Sequence, residues 1–350
     1  MGKIASFSDL LGRIKDRASQ SKAALVSNPK TLSFHLPVLR ATTHDPSTPP
    51  HHSHVAAVLS AGNGSRVTAA AAVEAVMDRL HTTGDASVAL KCLIIVHEVA
   101  RHGGFILQDQ LSVFPATGGR NYLKLSGFRD EKSPLMWELS YWVRWYALYL
   151  EQLLSSCRIL GFFLSSTSSA AQRDDEDEKL SSLSNTDILG EIDALVCLLE
   201  VACKIPDLTL PQGKNLAEEI TRFVGEDCIS SIDKLFSRIN EFRQRSSDIG
   251  FGDSVELVCA LKRIESSREK LSGICCGKRV CVDGFFWDLV SEVKGMVGEF
   301  GMDYGQNGKM IVNVGKRGLA RMGTQSARFS DRVIPGYVDS VRFNHQHFLL

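Results

Sequence analysis

Hydrophobic positions recur along most of the chain with the 3.6-residue period of a half-buried helix. Val73, Val76, Met77 and Leu80 stand at i, i+3, i+4 and i+7, the stripe of a helix whose other faces stay polar. Asp85 and Ser87 are candidate N-caps for the next segment, Val88 through Val99, which stops at Gly103 and Gly104. That segment is apolar almost all round, so it is expected to be a central helix covered on several sides. Ser133 and Pro134 open a third long helix, proline suiting a first turn. It runs through Trp137, Trp142, Trp145, Tyr146, Tyr149 and Leu153, an aromatic run read as core. Helical spacing returns at Ile188, Ile192, Leu195, Leu198 and Leu199 and stops at Pro206. It reappears at Ile229, Ile232, Phe236 and Ile239, and again at Val255, Val258, Leu261 and Ile264. Period-2 alternation is missing over any useful length, which argues against a substantial sheet.

The breaks in this pattern divide the chain. Residues 1–30 read as an amphipathic basic helix region and 31–160 as a first helical body. Residues 161–185 hold a small-polar run from Ser165 and then the acidic run Asp174 to Glu178, a flexible loop by composition. Residues 186–275 form a second helical part. Residues 276–300 contain an amphipathic helix, Asp283 to Phe300, weakened by three glycines. Residues 301–350 lack periodicity and read as a disordered basic tail.

Composition changes this picture in one respect. The 350 residues carry 40 Lys+Arg against 40 Asp+Glu, a net charge of zero that disfavours a nucleic-acid binder. The zero is unevenly made. Residues 1–54 hold seven basic and three acidic side chains, and residues 301–350 the same, so each end carries +4 and the middle −8. No apolar run approaches the roughly 18 residues that span a bilayer, and the first residues lack the apolar stretch of a secretory leader. The nine cysteines include no CxxC pair, so they read as reduced thiols of a cytosolic protein, and Cys275, Cys276 and Cys281 make no metal set. No metal, no cofactor and no nucleophile–base pair is expected, so the chain does not read as an enzyme. His97, alone in an apolar helix, reads as a hydrogen-bonded core residue. Gly62 to Gly64 reads as a helix connector, since no strand precedes it.

The informative stretch is Val38 to Asp45, with Arg40 and Ala41-Thr42-Thr43-His44, then a proline-rich turn and His51, His52, Ser53 and His54. A helix ends at a basic residue and a histidine, and a second begins with three histidines in its first turn. The free N–H groups and dipole of a helix start favour phosphate, so cationic side chains gathered there would make an anion site.

This stretch resembles the phosphoinositide motif of the ANTH domain of the clathrin assembly proteins: Lys, nine residues, Lys, any residue, Lys or Arg, then His or Tyr, with Ala-Thr-Thr-His after the first Lys. Arg40 stands at the first Lys, followed by Ala41, Thr42, Thr43 and His44. The turn is one residue longer, and His51, Ser53 and His54 fall at the remaining positions, so both later lysines are replaced and the last His is kept. Val88 through His97 is similar to the family's buried helix. Arg120 through Phe128 and Trp142 through Leu150 are similar to its Asn-Leu-Ser-Phe segment and aromatic helix. The resemblance covers about residues 20–275, and the short chain, serine-rich loop and Arg-rich ending are similar to the plant members.

The resemblance implies an all-α, right-handed stack of antiparallel helices, in which residues 31–160 form the ENTH-like phosphoinositide-binding part and 186–275 the rest of the ANTH domain. It implies a peripheral adaptor in clathrin coat assembly and endocytosis, on the cytoplasmic face of coated pits and vesicles at the plasma membrane or Golgi. The headgroup would meet Arg40, His44, His51, His52 and His54. Neutral imidazole is a poor substitute for Lys, its reference pKa being about 6.5, so binding is expected to be weaker than in Lys-bearing relatives and to strengthen on acidification. A vesicle SNARE helix is a further expected partner. Direct clathrin binding has less support, since the tail holds none of the Asp-Leu-Leu, Asn-Pro-Phe or Asp-Pro-Phe motifs. The rival reading is a cytosolic helical scaffold that binds protein partners alone.

The N-terminus adds a candidate membrane contact. Gly2 and Lys3 with Ser6 fit the minimal N-myristoylation pattern. Ile4, Phe7, Leu11, Ile14 and Ala18 form a helical stripe flanked by Arg13, Lys15, Arg17 and Lys22, the usual second signal beside an acyl chain. The alternative is a first helix whose stripe packs on the domain.

Overall fold

Side-chain caps from His51, Ser65, Asp85, Ser133 and Ser184 start five helices in the computed structural model, which describes residues 7–26, 29–114, 123–164, 178–245, 249–275 and 284–306. The first elements are α1 (Phe7–Val26), α2 (Pro29–Ala41), α3 (His52–Leu59), a 3-10 turn at Ser60–Asn63 and α4 (Arg66–Thr82). Next come α5 (Ala86–His102), α6 (Phe105–Ser112), α7 (Pro134–Leu160) and the helical residues 178–182 (α8). The later ones are α9 (Asn185–Ala202), a 3-10 turn at Pro211–Gly213, α10 (Lys214–Gln244), α11 (Phe251–Ser266), α12 (Arg268–Ile274) and α13 (Gly284–Gln306). No strand occurs among the described residues.

Of the two caps expected before α5, Asp85 serves: its carboxylate accepts from the N–H groups of Ser87 and Val88. Ser133 caps α7 with Pro134 in the first turn, and Gly161, at φ +81°, ends it in the left-handed region that suits glycine. The 27 residues of α7 outrun the aromatic stretch that announced it.

The helices stack in order, α1 on α2, α2 on α3 and α4, α4 on α5, α5 on α7, α7 on α9, and α9 on α10 and α11. This is an all-α solenoid. α5 and α7 run in the same direction: Ser87 Oγ lies 3.7 Å from the Met136 sulfur and His97 Nδ1 2.7 Å from the Tyr146 hydroxyl. Short α6 packs on α4, and its last residue, Ser112, accepts from Arg158 near the far end of α7. α9 then runs antiparallel to α7, Trp145 Nε1 donating to the Val201 carbonyl and Ser156 Oγ to that of Ala194. α5 is the most enclosed helix, buried from Ala86 to His97 without a break, as its all-round apolar sequence requires.

A polar knot ties α5, α7 and α10 together inside the stack. His97 is fully buried, with Nε2 2.7 Å from Asp227 Oδ2. Tyr149 donates to the same carboxylate oxygen at 2.8 Å, and Arg101 to the other at 3.3 Å. His97 is thus the hydrogen-bonded core residue its sequence context indicated. Burial, and then the Asp227 charge, push the Tyr146 and Tyr149 hydroxyls well above their ordinary pKa, so both keep their protons.

The aromatic run of α7 is only partly core. Trp142, Trp145, Tyr146 and Tyr149 are buried, whereas Trp137 and Tyr141 face solvent. Their positions, four apart, fall on the side of α7 away from α5 and α9. The loop expected over residues 161–185 is narrower, since 178–182 are helical and α9 begins at Asn185, and the tail expected from residue 301 starts later, since α13 runs to Gln306. Residues 165–177, those beyond 306, Gly2, Lys3, Cys276 and Cys281 lie outside the described residues.

Candidate functional site

Arg40 sits exposed in the last turn of α2. The Thr42 hydroxyl donates to the Val38 carbonyl at 2.7 Å, closing that turn. Asp45 then folds the chain back. Its carboxylate accepts from the Ser47 N–H at 2.9 Å and the Thr48 hydroxyl at 3.0 Å, the turn-forming habit of this residue. Burial works against its charge, but these hydrogen bonds and the nearby Lys91 hold the carboxyl below its ordinary pKa.

His51 is the N-cap of α3 rather than a first-turn residue. Its Nδ1 accepts from the Ser53 N–H at 3.3 Å and lies 2.7 Å from the Ser53 hydroxyl. The His51 and His52 rings stack at 4.3 Å between centroids, and His54 lies 5.8 Å from His51. Burial, with the positive charges of Arg40 and His51 after it, lowers the His54 pKa below its ordinary value. Arg40, His51, His52 and His54 therefore make one patch at the end of α2 and the start of α3. At neutral pH its permanent charge is the Arg40 guanidinium.

His44 is placed differently. Its Nδ1 lies 2.6 Å from Asp16 Oδ1, and its backbone N–H donates to Asp16 Oδ2 at 3.1 Å. The side chain expected to meet a phosphate meets a carboxylate of α1 instead. A Cβ on Gly12 would come within 2.9 Å of the His44 Cβ, so glycine at position 12 is what lets α1 approach this closely.

Docking of α1 thus runs through Gly12 and Asp16, which are buried. The described part of the apolar stripe faces outward: Leu11 is 43% and Ile14 56% exposed, and Ala18 is exposed beside them, while Ile4 and the Phe7 side chain lie outside the described residues. This corrects the alternative in which the stripe packs on the domain. Arg13, Lys15, Arg17 and Lys22 are all exposed on the same helix.

Beneath the turn lies Lys91, a residue the sequence reading passed over. It is 1% exposed, and its ammonium donates to the Thr43 hydroxyl at 2.9 Å. Burial lowers its pKa to about 8, although Asp45, Asp16 and Asp85 pull the other way. Arg79 reaches the Thr42 carbonyl at 3.4 Å. Two cations from α4 and α5 thus hold the segment between Arg40 and His44, Arg79 by a backbone carbonyl and Lys91 by a side-chain hydroxyl. The single charge in the apolar run Val88–Val96 was the sequence signal for Lys91; Asp16 had none.

The far side of the turn touches the second helical part. Asn215, at the start of α10, donates to the Ser47 carbonyl at 2.9 Å. A groove of about 530 Å³ runs along α10 from there, lined by Leu210, Lys214, Thr221, Arg222, Ile229 and Ile274 among others. Among the described residues no group of three or more His, Cys, Asp or Glu is placed to hold a metal ion. No helix there is long and apolar enough to cross a membrane.

With this geometry in hand, likeness to known proteins is specific. The ANTH domain model matches residues 34–242, which contain the His patch, Lys91 and the buried knot. Three Arabidopsis thaliana proteins, each bearing the name "Putative clathrin assembly protein", are similar over most of their length. One is 65% identical over 99% of this chain and 96% of its own. A second is 33% identical, covering 81% and 84%, and a third 30% identical, covering 85% and 100%. The chain belongs to the ANTH-domain family, in the group of the plant clathrin assembly proteins.

Proposed function

We propose that the protein is a non-enzymatic peripheral adaptor of clathrin coats that binds a phosphoinositide headgroup at the α2–α3 turn. The observation that carries this reading is the patch itself: Arg40 and the rings of His51, His52 and His54 gathered at the N-terminal end of α3. A helix start supplies donors and the positive end of its dipole to a phosphate, and Arg supplies a bidentate fork. His44 supports the patch from behind by fixing α1 through Asp16. α1 then offers the bilayer a basic surface from Arg13, Lys15, Arg17 and Lys22 and an apolar one from Leu11 and Ile14.

Clathrin assembly comes to the chain through its family and the names of its relatives. Capture of a vesicle SNARE helix by the later helices is the finer reading, and the groove along α10 is the surface that would receive it. The rival, a scaffold for protein partners alone, draws support from the loss of both motif lysines and from the Asp16–His44 pairing. Flotation of the full chain with liposomes of phosphatidylcholine and phosphatidylserine, with and without phosphatidylinositol bisphosphate, separates the two. The adaptor reading expects flotation to rise on adding the phosphoinositide; equal recovery with and without it favours the scaffold.

A further inference from the structure

The headgroup reading leaves one solvent-facing stripe of α7 unused. Trp137, Tyr141 and Leu148 are 37%, 46% and 49% exposed, and with Arg144 they recur at i, i+4, i+7 and i+11. At 1.5 Å per residue the stripe is about 16 Å long. The Trp137 and Tyr141 rings meet edge to face at 5.8 Å. The Arg129 guanidinium lies 5.9 Å from the Trp137 ring centre, and that of Arg144 4.4 Å over Tyr141. Arg144 is held further by donating to the Phe128 carbonyl at 2.7 Å. The neighbouring carboxylate, Glu138, is already engaged by the N–H groups of Thr209 and Leu210.

Two guanidiniums are therefore laid against exposed rings, positioned before any partner arrives and keeping their N–H edges for an anion. Trp, Tyr and Arg are also the side chains that dominate protein-interface energies. We infer that this stripe docks an extended acidic segment of a partner protein. Its carboxylates would meet Arg129 and Arg144, and an apolar side chain would lie on Leu148. About five residues of extended chain, at roughly 3.3 Å each, match its length.

Charge selects an acidic partner, and the course of the stripe selects a peptide over a bilayer. Lys132, just before α7, bridges to Asp85 at the start of α5, and Asn215 at the start of α10 bonds Ser47 in the α2–α3 turn. Glu138 joins α7 to the segment just before α10. These helices start at the end of the stack that carries the turn. A stripe along α7 runs away from that end, so a membrane held there would meet its first residue at most.

The test uses the full chain and a fluorescein-labelled ten-residue peptide of alternating aspartate and glycine with one leucine, followed by anisotropy at low salt. Saturable binding is expected, weakened at least about tenfold by Trp137→Ala and by Arg129→Glu, with no binding of the peptide in which lysine replaces aspartate. Arg129→Glu alters a surface side chain and keeps the Arg144–Phe128 bond, so a folding defect does not obscure the result. His54→Glu should leave peptide binding unchanged, which separates this inference from the headgroup reading. No saturation by about 1 mM peptide overturns it, as does binding by both stripe variants as tight as that of the unaltered chain. Weaker liposome flotation of Trp137→Ala with peptide binding intact also overturns it, making the stripe a lipid contact.

Discussion

The histidines at the turn replace permanent charge with conditional charge. Burial and the neighbouring cations hold the His54 pKa below its ordinary value, so its ring is neutral at pH 7. A bound phosphate reverses the balance by favouring the protonated ring. Binding to phosphoinositide liposomes should therefore be stronger at about pH 5.5 than at about pH 7.5, and His51→Gln with His54→Gln should flatten the difference. Equal binding of the unaltered chain at both values would remove the histidines from the site. In the free protein the sign is opposite for stability. The folded pKa of His54 lies below the unfolded one, so the unfolded chain protonates first as pH falls through about 6.5, and folding weakens there.

Lys91 makes a second residue-scale prediction. Its pKa of about 8 in the fold lies below the ordinary 10.5, so folding with the ammonium charged costs about 3 kcal/mol at pH 7. Between these values the unfolded chain holds the extra proton, and stability rises with pH across that window. Lys91→Met removes the buried charge along with one hydrogen bond to Thr43, and should raise stability at pH 7 by about 1–3 kcal/mol. The gain, read from urea midpoints, should shrink by about pH 9.5. A variant less stable than its parent at pH 7 would show that the Thr43 contact outweighs the desolvation cost.

At the scale of elements, local patterns were legible and long-range pairings were not. Asp85, Ser133 and Pro134 announced the starts of α5 and α7, because capping acts within three residues. Only the second half of α10 was visible, from Ile229 to Ile239. The helix begins at Lys214, and its first turns carry Glu218, Glu219, Arg222 and Glu226, whose charges dilute the apolar stripe. Short α6 was missed altogether. The α1 stripe pointed the wrong way for packing, because Gly12 and Asp16 dock that helix by close approach and a charged hydrogen bond across 28 residues of sequence. No periodicity reports such a contact.

The polar knot between α5, α7 and α10 is the element-scale feature with the sharpest energetic consequence. Asp227 is buried and accepts from Tyr149 and Arg101 beside the His97 ring. Asp227→Ala leaves the His97 ring and the Tyr149 hydroxyl without their shared acceptor and takes one of three partners from Arg101, which costs about 3–5 kcal/mol. In a domain of this size that corresponds to a fall in Tm of roughly 6–20 °C, readable by circular dichroism. A shift under about 2 °C would mean that the knot contributes little beyond packing.

For the whole molecule, the division of charge matters more than its zero sum. The basic N-terminal 54 residues hold both the α1 surface and the headgroup patch, while the middle of the chain carries −8. An anionic bilayer attracts the first and repels the second, which would turn the α2–α3 turn toward the membrane. Positive charge at the patch, rather than anywhere else on the stack, is then the central claim. The direct test is flotation of the chain carrying Arg40→Glu and His54→Glu with phosphatidylinositol bisphosphate liposomes, with the melting temperature measured alongside. The account predicts loss of flotation with an unchanged melting temperature; flotation equal to that of the unaltered chain would contradict it.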